Sequence, residues 1–261
     1  MNVHLEAVTG FLEKTLVMCE MEVRKLSHDR TEIYTRAVQP ALWLIVFGNV
    51  FSKYRVIPTG DYSYMEYIMP GILAQSIMFI SIFYGITIVW ERDLGLLSKL
   101  LVAPLPRSAV VSGKALSSSV RALFQAVIVF VLALILGVRV ILNPIYLLLT
   151  MVVIVISAAC FASLSILVAS LMKTRERFMG IGQLITMPLF FASNALYPVE
   201  AMPQWLQVIS AVNPMSYMVD ALRSLLITGA LQNLPLDFFG TLAACAVFII
   251  LASVAFRKIL E

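Results

Sequence analysis

The chain has 261 residues, of which 61% are hydrophobic and 13% are charged, and its mean hydropathy is +0.93. A soluble domain carries about twice this share of charged residues, so this chain lacks the polar groups to cover a water-facing surface. The composition excludes a soluble globular protein and predicts one polytopic domain in a membrane. The formal net charge of +4 does not indicate nucleic-acid binding, because most of the basic residues flank apolar runs.

Residues 1–36 form a segment of mixed character ahead of the first long apolar run. Leu16, Val23 and Leu26 recur at helical spacing, and Arg24 lies beside them. This pattern predicts an interfacial amphipathic helix lying along the membrane surface. The alternative is a soluble helix packed on the rest of the protein. The segment lacks the basic-then-apolar order of a cleaved signal peptide, so the first span is expected to direct insertion.

Six apolar runs follow, each long enough or nearly long enough to cross a bilayer. The predicted spans are residues 37–52, 64–90, 119–138, 144–172, 178–197 and 236–256. Small residues between Ser157 and Ser165 favour close packing of the fourth span against a neighbouring helix. The sequence therefore predicts an all-α polytopic membrane domain over residues 37–261.

The segment between the second and third spans is the most informative polar stretch. Residues 90–114 read WERDLGLLSKLLVAPLPRSAVVSGK. Leu97 and Leu100 belong to a leucine repeat at helical spacing, and Pro104 ends it. These features predict a short amphipathic helix at the membrane surface, where it can transmit force to the spans on both sides. The alternative is a connector helix that only rests on lipid headgroups.

Residues 198–229, between the fifth and sixth spans, are apolar but interrupted by prolines. They predict two helices, 202–212 and 214–227, each too short to cross a bilayer. A re-entrant hairpin of half-length helices is the favoured interpretation. One bent span is the alternative, and it would move the C-terminus to the other side of the membrane.

The second half-helix carries the polar residues of this hairpin. Pro214 occupies its first position, after a capping asparagine, and Tyr217, Asp220 and Arg223 follow on one face. Asp220 and Arg223 are three residues apart, which places them to form an ion pair. The simplest role for that pair is to fix the hairpin.

The distribution of basic residues predicts the orientation. With six spans both termini lie on one side, and that side holds most of the 19 lysines and arginines. The other side holds Lys53, Arg55, Arg139 and Arg223. Basic loops stay in the cytoplasm, so residues 90–114 are predicted to be cytoplasmic and the hairpin external.

The sequence offers no catalytic set, nucleotide loop or metal-ligand cluster. Lys114 follows Ser112 and Gly113 without the upstream glycine of a phosphate-binding loop. The three cysteines are scattered without metal-ligand spacing. Neutral polar residues are candidates either for a substrate path or for packing hydrogen bonds: Gln75, Gln183 and Asn194. Transport against a gradient would therefore need a partner that supplies the free energy.

Four patterns are spread over nearly the whole chain: the interfacial helix, Glu91-Arg92-Asp93-Leu94-Gly95 running to Pro104 with a distal Gly113-Lys114, Ser193-Asn194-x-x-Tyr197-Pro198, and Asn213-Pro214-x-x-Tyr217-x-x-Asp220-x-x-Arg223. Together they resemble the permease subunit of ABC-2 type exporters, in the drug-resistance and Nod-factor export group. The chain departs from that family's pattern at Ser98 and Asp220, where glutamate is common, and at Asn194, where glycine is common. These departures bear on the substrate class and leave the fold unaffected.

The resemblance implies two permease chains, most simply a homodimer, above two cytoplasmic ABC ATPases that bind ATP and magnesium. This chain would itself be no enzyme and would hold no cofactor or metal. Coupling to the ATPase would run through Glu91, Arg92, Asp93, Leu97, Leu100 and Pro104. An amphiphilic drug, lipid or glycolipid would leave between the protomers, past the external hairpin. The resemblance also implies a prokaryotic cell membrane, with both termini in the cytoplasm.

Two other function classes fit the residues less well. A lipid-headgroup transferase would need a cluster of acidic metal ligands at the cytoplasmic edge, for which Glu91 and Asp93 are too few. A partner-free channel or secondary carrier is the other class; proton- or ion-coupled carriers usually keep an ionisable relay near mid-membrane, and the spans offer few such residues. Transport by the purified chain alone would favour the carrier, and an ATPase gene next door would favour the exporter.

Overall fold

A computed structural model describes residues 38–54, 62–94, 107–172 and 174–255. The regular structure within these ranges is helical. Some of the predicted functional residues lie outside the described residues: Leu16, Val23, Arg24 and Leu26 of the interfacial helix, and Leu97, Leu100 and Pro104 of the coupling segment.

The first helix, α1, covers residues 38–54 and is π-helical over Trp43–Gly48. The helices of the central part are α2 (Tyr64–Tyr84), α3 (Ile86–Asp93), α4 (Arg107–Ile135), α5 (Pro144–Leu171) and α6 (Arg175–Phe191). The last part contains α7 (Gln204–Val212), α8 (Pro214–Arg223) and α9 (Leu234–Ala255).

Four helical stretches of the described chain are long and apolar enough to cross a membrane: Tyr64–Glu91, Gly113–Ile135, Pro144–Leu171 and Leu234–Ala255. The apolar part of α1, Val38–Ser52, and the 17-residue α6 are shorter than the roughly 20 residues of an upright spanning helix. The described part of the chain is thus helical, and the protein is an integral membrane protein. The predicted count of six spans depends on α1 and α6 and stays a prediction.

Local capping chemistry sets where several helices begin. Ser63 and Glu66 form a reciprocal capping box at the start of α2, in which the Ser63 amide donates to the Glu66 carboxylate at 2.8 Å. Asn143 caps α5 and Asn213 caps α8. Each is followed by a proline at the first helical position, where a backbone N–H would have no hydrogen-bond partner within the helix. The predicted break between the two half-helices therefore falls at Asn213.

The core of the protein surrounds α2. Most side chains of α2 are buried, and the helix packs against α1, α4, α5, α6 and α8. On the other side of the molecule α9 packs against α5 and α8. The outward faces of α4, α5 and α9 present large apolar side chains, such as Val127 (59% exposed), Leu148 (62%) and Phe239 (65%). In a membrane protein these faces contact lipid tails or other apolar chains.

The start of α2 fixes the backbone that follows α6. A Cβ atom at Gly71 would lie 2.2 Å from the carbonyl oxygen of Ala195, so only glycine allows this approach. The hydroxyls of Tyr64 and Tyr67 donate to backbone carbonyls of the same segment at 3.1 and 3.2 Å. Through these contacts α2 positions the segment that carries Asn194.

Candidate functional site

Two polar clusters lie at opposite ends of the continuous α2–α3 unit. The Glu91 cluster consists of Trp90, Glu91, Lys114 and Arg175. The Arg223 cluster consists of Tyr67, Asn194, Asp220 and Arg223. The helical rise of 1.5 Å per residue puts Tyr67 and Glu91 roughly 36 Å apart. The hydrocarbon core of a bilayer is about 30 Å thick, so the clusters lie far enough apart to occupy its two faces.

The Glu91 cluster joins three helices through charged and aromatic side chains. The Lys114 ammonium, on α4, donates to the Glu91 carboxylate at the end of α3, and their side chains are 3% and 29% exposed. The guanidinium of Arg175, on α6, lies 4.8 Å from the ring centroid of Trp90. A buried ammonium that loses its counter-ion is strongly destabilising. The ion pair therefore holds the last turn of α3 against the N-terminal part of α4.

This ion pair connects the two ends of the predicted coupling segment, residues 90–114. Glu91 begins the Glu-Arg-Asp pattern and Lys114 ends the distal Gly-Lys, so the two ends of the sequence motif meet in space. The backbone of Arg92 and Asp93 lies in the last turn of α3. Lys114 belongs to the sequence motif, but the motif alone did not predict it to be a coupling residue. A lysine so close to the start of a long apolar helix was the available signal.

The Arg223 cluster is more than a local pair on one helix. Arg223 donates to Asp220 Oδ1 at 3.1 Å and to the Asn194 carbonyl at 2.9 Å, and its guanidinium carbon lies 4.0 Å from the Tyr67 ring centroid. The Asn194 amide donates to the same Asp220 oxygen at 2.6 Å. Burial raises the pKa of the Asp220 carboxyl, and Arg223 and Asn194 oppose that shift because they stabilise the carboxylate. The pair thus connects α8 to α2 and to the segment after α6.

The two half-helices are held together by side-chain hydrogen bonds. The Tyr217 hydroxyl donates to the Ala211 carbonyl at 2.5 Å, and the hydroxyls of Ser210 and Ser216 lie 3.0 Å apart. The Asn213 amide also donates to the Leu189 carbonyl of α6 at 2.8 Å. The side of α7 away from these contacts is apolar and exposed through Trp205, Val208, Ile209 and Val212. The hairpin is therefore a hydrogen-bonded unit with an exposed apolar face on α7.

A cavity of about 430 Å³, here called the hairpin cavity, lies between the α7–α8 hairpin and the start of α9. Its polar wall includes Asn194, Tyr217, Asp220, Arg223, Asn233 and Asp237. A second cavity of about 610 Å³ lies among α1, α2 and α4, where Phe79, Phe83 and Tyr84 face Arg121 and Gln125. Both cavities combine polar groups with apolar surface, as small-molecule sites do.

Residues 13–227 match the family model described as ABC-2 type transporter. The chain belongs to the ABC-2 type transporter family. This membership confirms the resemblance drawn from the sequence patterns. Within the ranges that the structure covers, no three His, Cys, Asp or Glu side chains are grouped as a metal site would require.

Curated relatives of this ABC-2 family member are named as transport permeases. The putative transport permease ycf38 of Cyanophora paradoxa is 29% identical over 96% of this chain and 90% of its own. The daunorubicin resistance ABC transporter permease protein DrrB1 of Streptomyces coeruleorubidus is 25% identical over 76% of this chain and 70% of its own. The inner membrane transport permease YadH of Escherichia coli strain K12 is 26% identical over 70% of each chain. The ABC-2 family thus implies a membrane component that works with a separate, nucleotide-binding ATPase subunit.

The three candidate substrate-path residues of this ABC-2 family member do not form one site. Gln75 is buried inside α2, and Gln183 is exposed on α6. Asn194 is buried in the Arg223 cluster and lines the hairpin cavity. Sequence reasoning missed Asp237, which lines the same cavity and is 3% exposed. An acidic residue within the apolar run of α9 was the available signal.

Proposed function

We propose that this chain is the permease subunit of an exporter that moves an amphiphilic drug, lipid or glycolipid out of the cytoplasm. A separate ATPase would supply the free energy. Family membership supports the permease role, and the drug-resistance name of DrrB1 supports an amphiphilic cargo. The chain would be a six-span domain, residues 37–261, with an interfacial segment, residues 1–36, in a prokaryotic cell membrane.

The observation that carries this proposal is the Glu91–Lys114 ion pair. It joins the last turn of α3 to the N-terminal part of α4, and so holds the two ends of residues 90–114 together. A force applied by the ATPase to Asp93, Leu97, Leu100 or Pro104 would then reach both helices together. Because α2 continues to α3, the same movement would reach Tyr67 and the Arg223 cluster at the other membrane face.

The external half of the mechanism would involve the hairpin and a second copy of the chain. The exposed apolar faces of α1 and α6 include Phe47 (39% exposed), Leu184 (70%) and Phe191 (45%). A second permease chain would cover these faces, so that Gln183 would line the path between protomers. The α7–α8 hairpin, anchored by the Arg223 cluster, would form the lid of that path.

Co-purification from the native host tests this proposal. The full chain, tagged at its C-terminus, should retain an ABC ATPase, and ATP hydrolysis by the complex should rise when an amphiphile such as daunorubicin or a glycolipid is added. Transport into liposomes by the chain alone would instead show a partner-free carrier, and would contradict the proposal.

A further inference from the structure

We infer that the hairpin cavity binds the ammonium group of a cationic amphiphile. This inference rests on the proposed function and specifies the substrate class of the exporter. It starts from Asp237, which lines the cavity and is 3% exposed. Among the residues that the structure describes, the Oδ2 atom of Asp237 is buried and has no hydrogen-bond partner. A volume of about 430 Å³ lies within the range of small-molecule sites.

Within the described part of the cavity wall, one carboxylate has no counter-ion. Asp220 is paired with Arg223 at 3.1 Å, so these two charges offset each other. Among the described residues that line the cavity, Arg223 is the cationic side chain, and it does not bond to Asp237. Glu200, which is exposed nearby, adds further negative charge. A buried carboxylate must gain a proton or a cation, and this cavity has room for the cation.

The hydrogen-bonding groups of the cavity fit an ammonium. Among the described residues, the Oδ1 atom of Asn194 is also buried and has no hydrogen-bond partner, so two residues of the cavity wall carry acceptor atoms without partners. A primary ammonium carries three N–H donors and no acceptor. A neutral alcohol would bring one donor and no charge, and an anion would be repelled. Within the described part of the chain, the Nε–H of Arg223, another residue of the wall, has no partner either.

Exposed apolar side chains near Asp237 can contact the apolar part of the ligand. Leu236 lines the cavity and is 66% exposed, and Phe239 continues the exposed apolar face of α9. An alkyl or aromatic tail can therefore lie along α9 while its amine enters the cavity. Asp237 stands beyond residues 13–227, the part of the chain that matches the family model. The carboxylate of this site therefore lies outside the matched part of the chain, whereas Asn194, Asp220 and Arg223 of the same cavity lie within it.

Photolabelling with a matched pair of probes tests the inference. The full chain with its ATPase is placed in phosphatidylcholine nanodiscs and labelled at pH 7 with a diazirine-bearing dodecylamine or the corresponding dodecanol. Peptides covering residues 198–240 are quantified by mass spectrometry. We expect about tenfold more labelling by the amine than by the alcohol, the size of one charge-assisted hydrogen bond.

Three variants isolate the role of the carboxylate. Asp237→Asn should abolish the preference for the amine, and Asp237→Glu should retain it, which shows that the loss is not one of folding. Glu200→Gln, which removes an exposed charge on the same side, should retain most of the preference. Equal labelling of the wild type by both probes would show a carboxyl neutralised by a proton and would overturn the inference, as would an unchanged preference in Asp237→Asn.

The same preparations separate this inference from the proposed function. A complex that keeps its ATPase and responds to amphiphiles, but shows no amine preference, would overturn the cation site and leave the exporter standing. A chain that labels with the amine but never retains an ATPase would contradict the exporter and support the site.

Discussion

Replacing both members of the Glu91–Lys114 ion pair separates its structural role from its role in coupling. Glu91→Leu leaves the Lys114 ammonium, whose side chain is 3% exposed, without a counter-ion. Breaking a fully buried pair costs 3–5 kcal/mol, and because Glu91 is 29% exposed we expect about 2 kcal/mol here. The double variant Glu91→Leu with Lys114→Met removes both charges, so its stability should return close to that of the wild type.

The assay measures thermal unfolding and amphiphile-stimulated ATP hydrolysis on the same purified complexes. The single variant should unfold at a lower temperature and lose stimulation. The double variant should unfold near the wild-type temperature and still lose stimulation, because the link between α3 and α4 at the coupling segment is gone. Full stimulation in the double variant would refute the argument that the ion pair transmits force.

Three further predictions concern packing, topology and the partner. Gly71→Ala should destabilise the protein by about 1–3 kcal/mol, because its Cβ would lie 2.2 Å from a backbone carbonyl oxygen. Gly180→Ala is the matched control in thermal unfolding, because its Cβ would meet no described atom within 4 Å, and it should be neutral or slightly stabilising. A cysteine at Gln204 should react with a membrane-impermeant maleimide from outside the cell, and labelling only from the cytoplasm would reverse the orientation. Deleting residues 2–30 should weaken retention of the ATPase in pull-down, and full retention would remove the interfacial segment from the coupling surface.

Much of the fold could be predicted because apolar length and capping chemistry are local properties. The runs beginning at Tyr64 and Pro144 form long helices, and the capping Asn213 separates two short helices close to the predicted bounds. The limits of α1 and α6 were harder to predict, because a run of apolar residues does not show where a helix gives way to a turn. The predicted fifth span, residues 178–197, extends past Phe191, where α6 ends.

The candidate site could be predicted only where its residues lie close in sequence. Asp220 and Arg223 are one turn apart, so their ion pair followed from spacing. The partners Asn194 and Tyr67 come from distant elements and could be found only from packing. For the same reason no pattern showed that Glu91 would meet Lys114 across residues 95–106.

Contact between residues 90–114 and an ATPase is the central claim, and site-directed crosslinking measures it most directly. A single cysteine at Leu97 should crosslink to the co-expressed ATPase subunit, and addition of ATP should change the yield. A cysteine at Gln204, expected at the opposite membrane face, should give no such product. A crosslink from Gln204 and none from Leu97 would contradict the account.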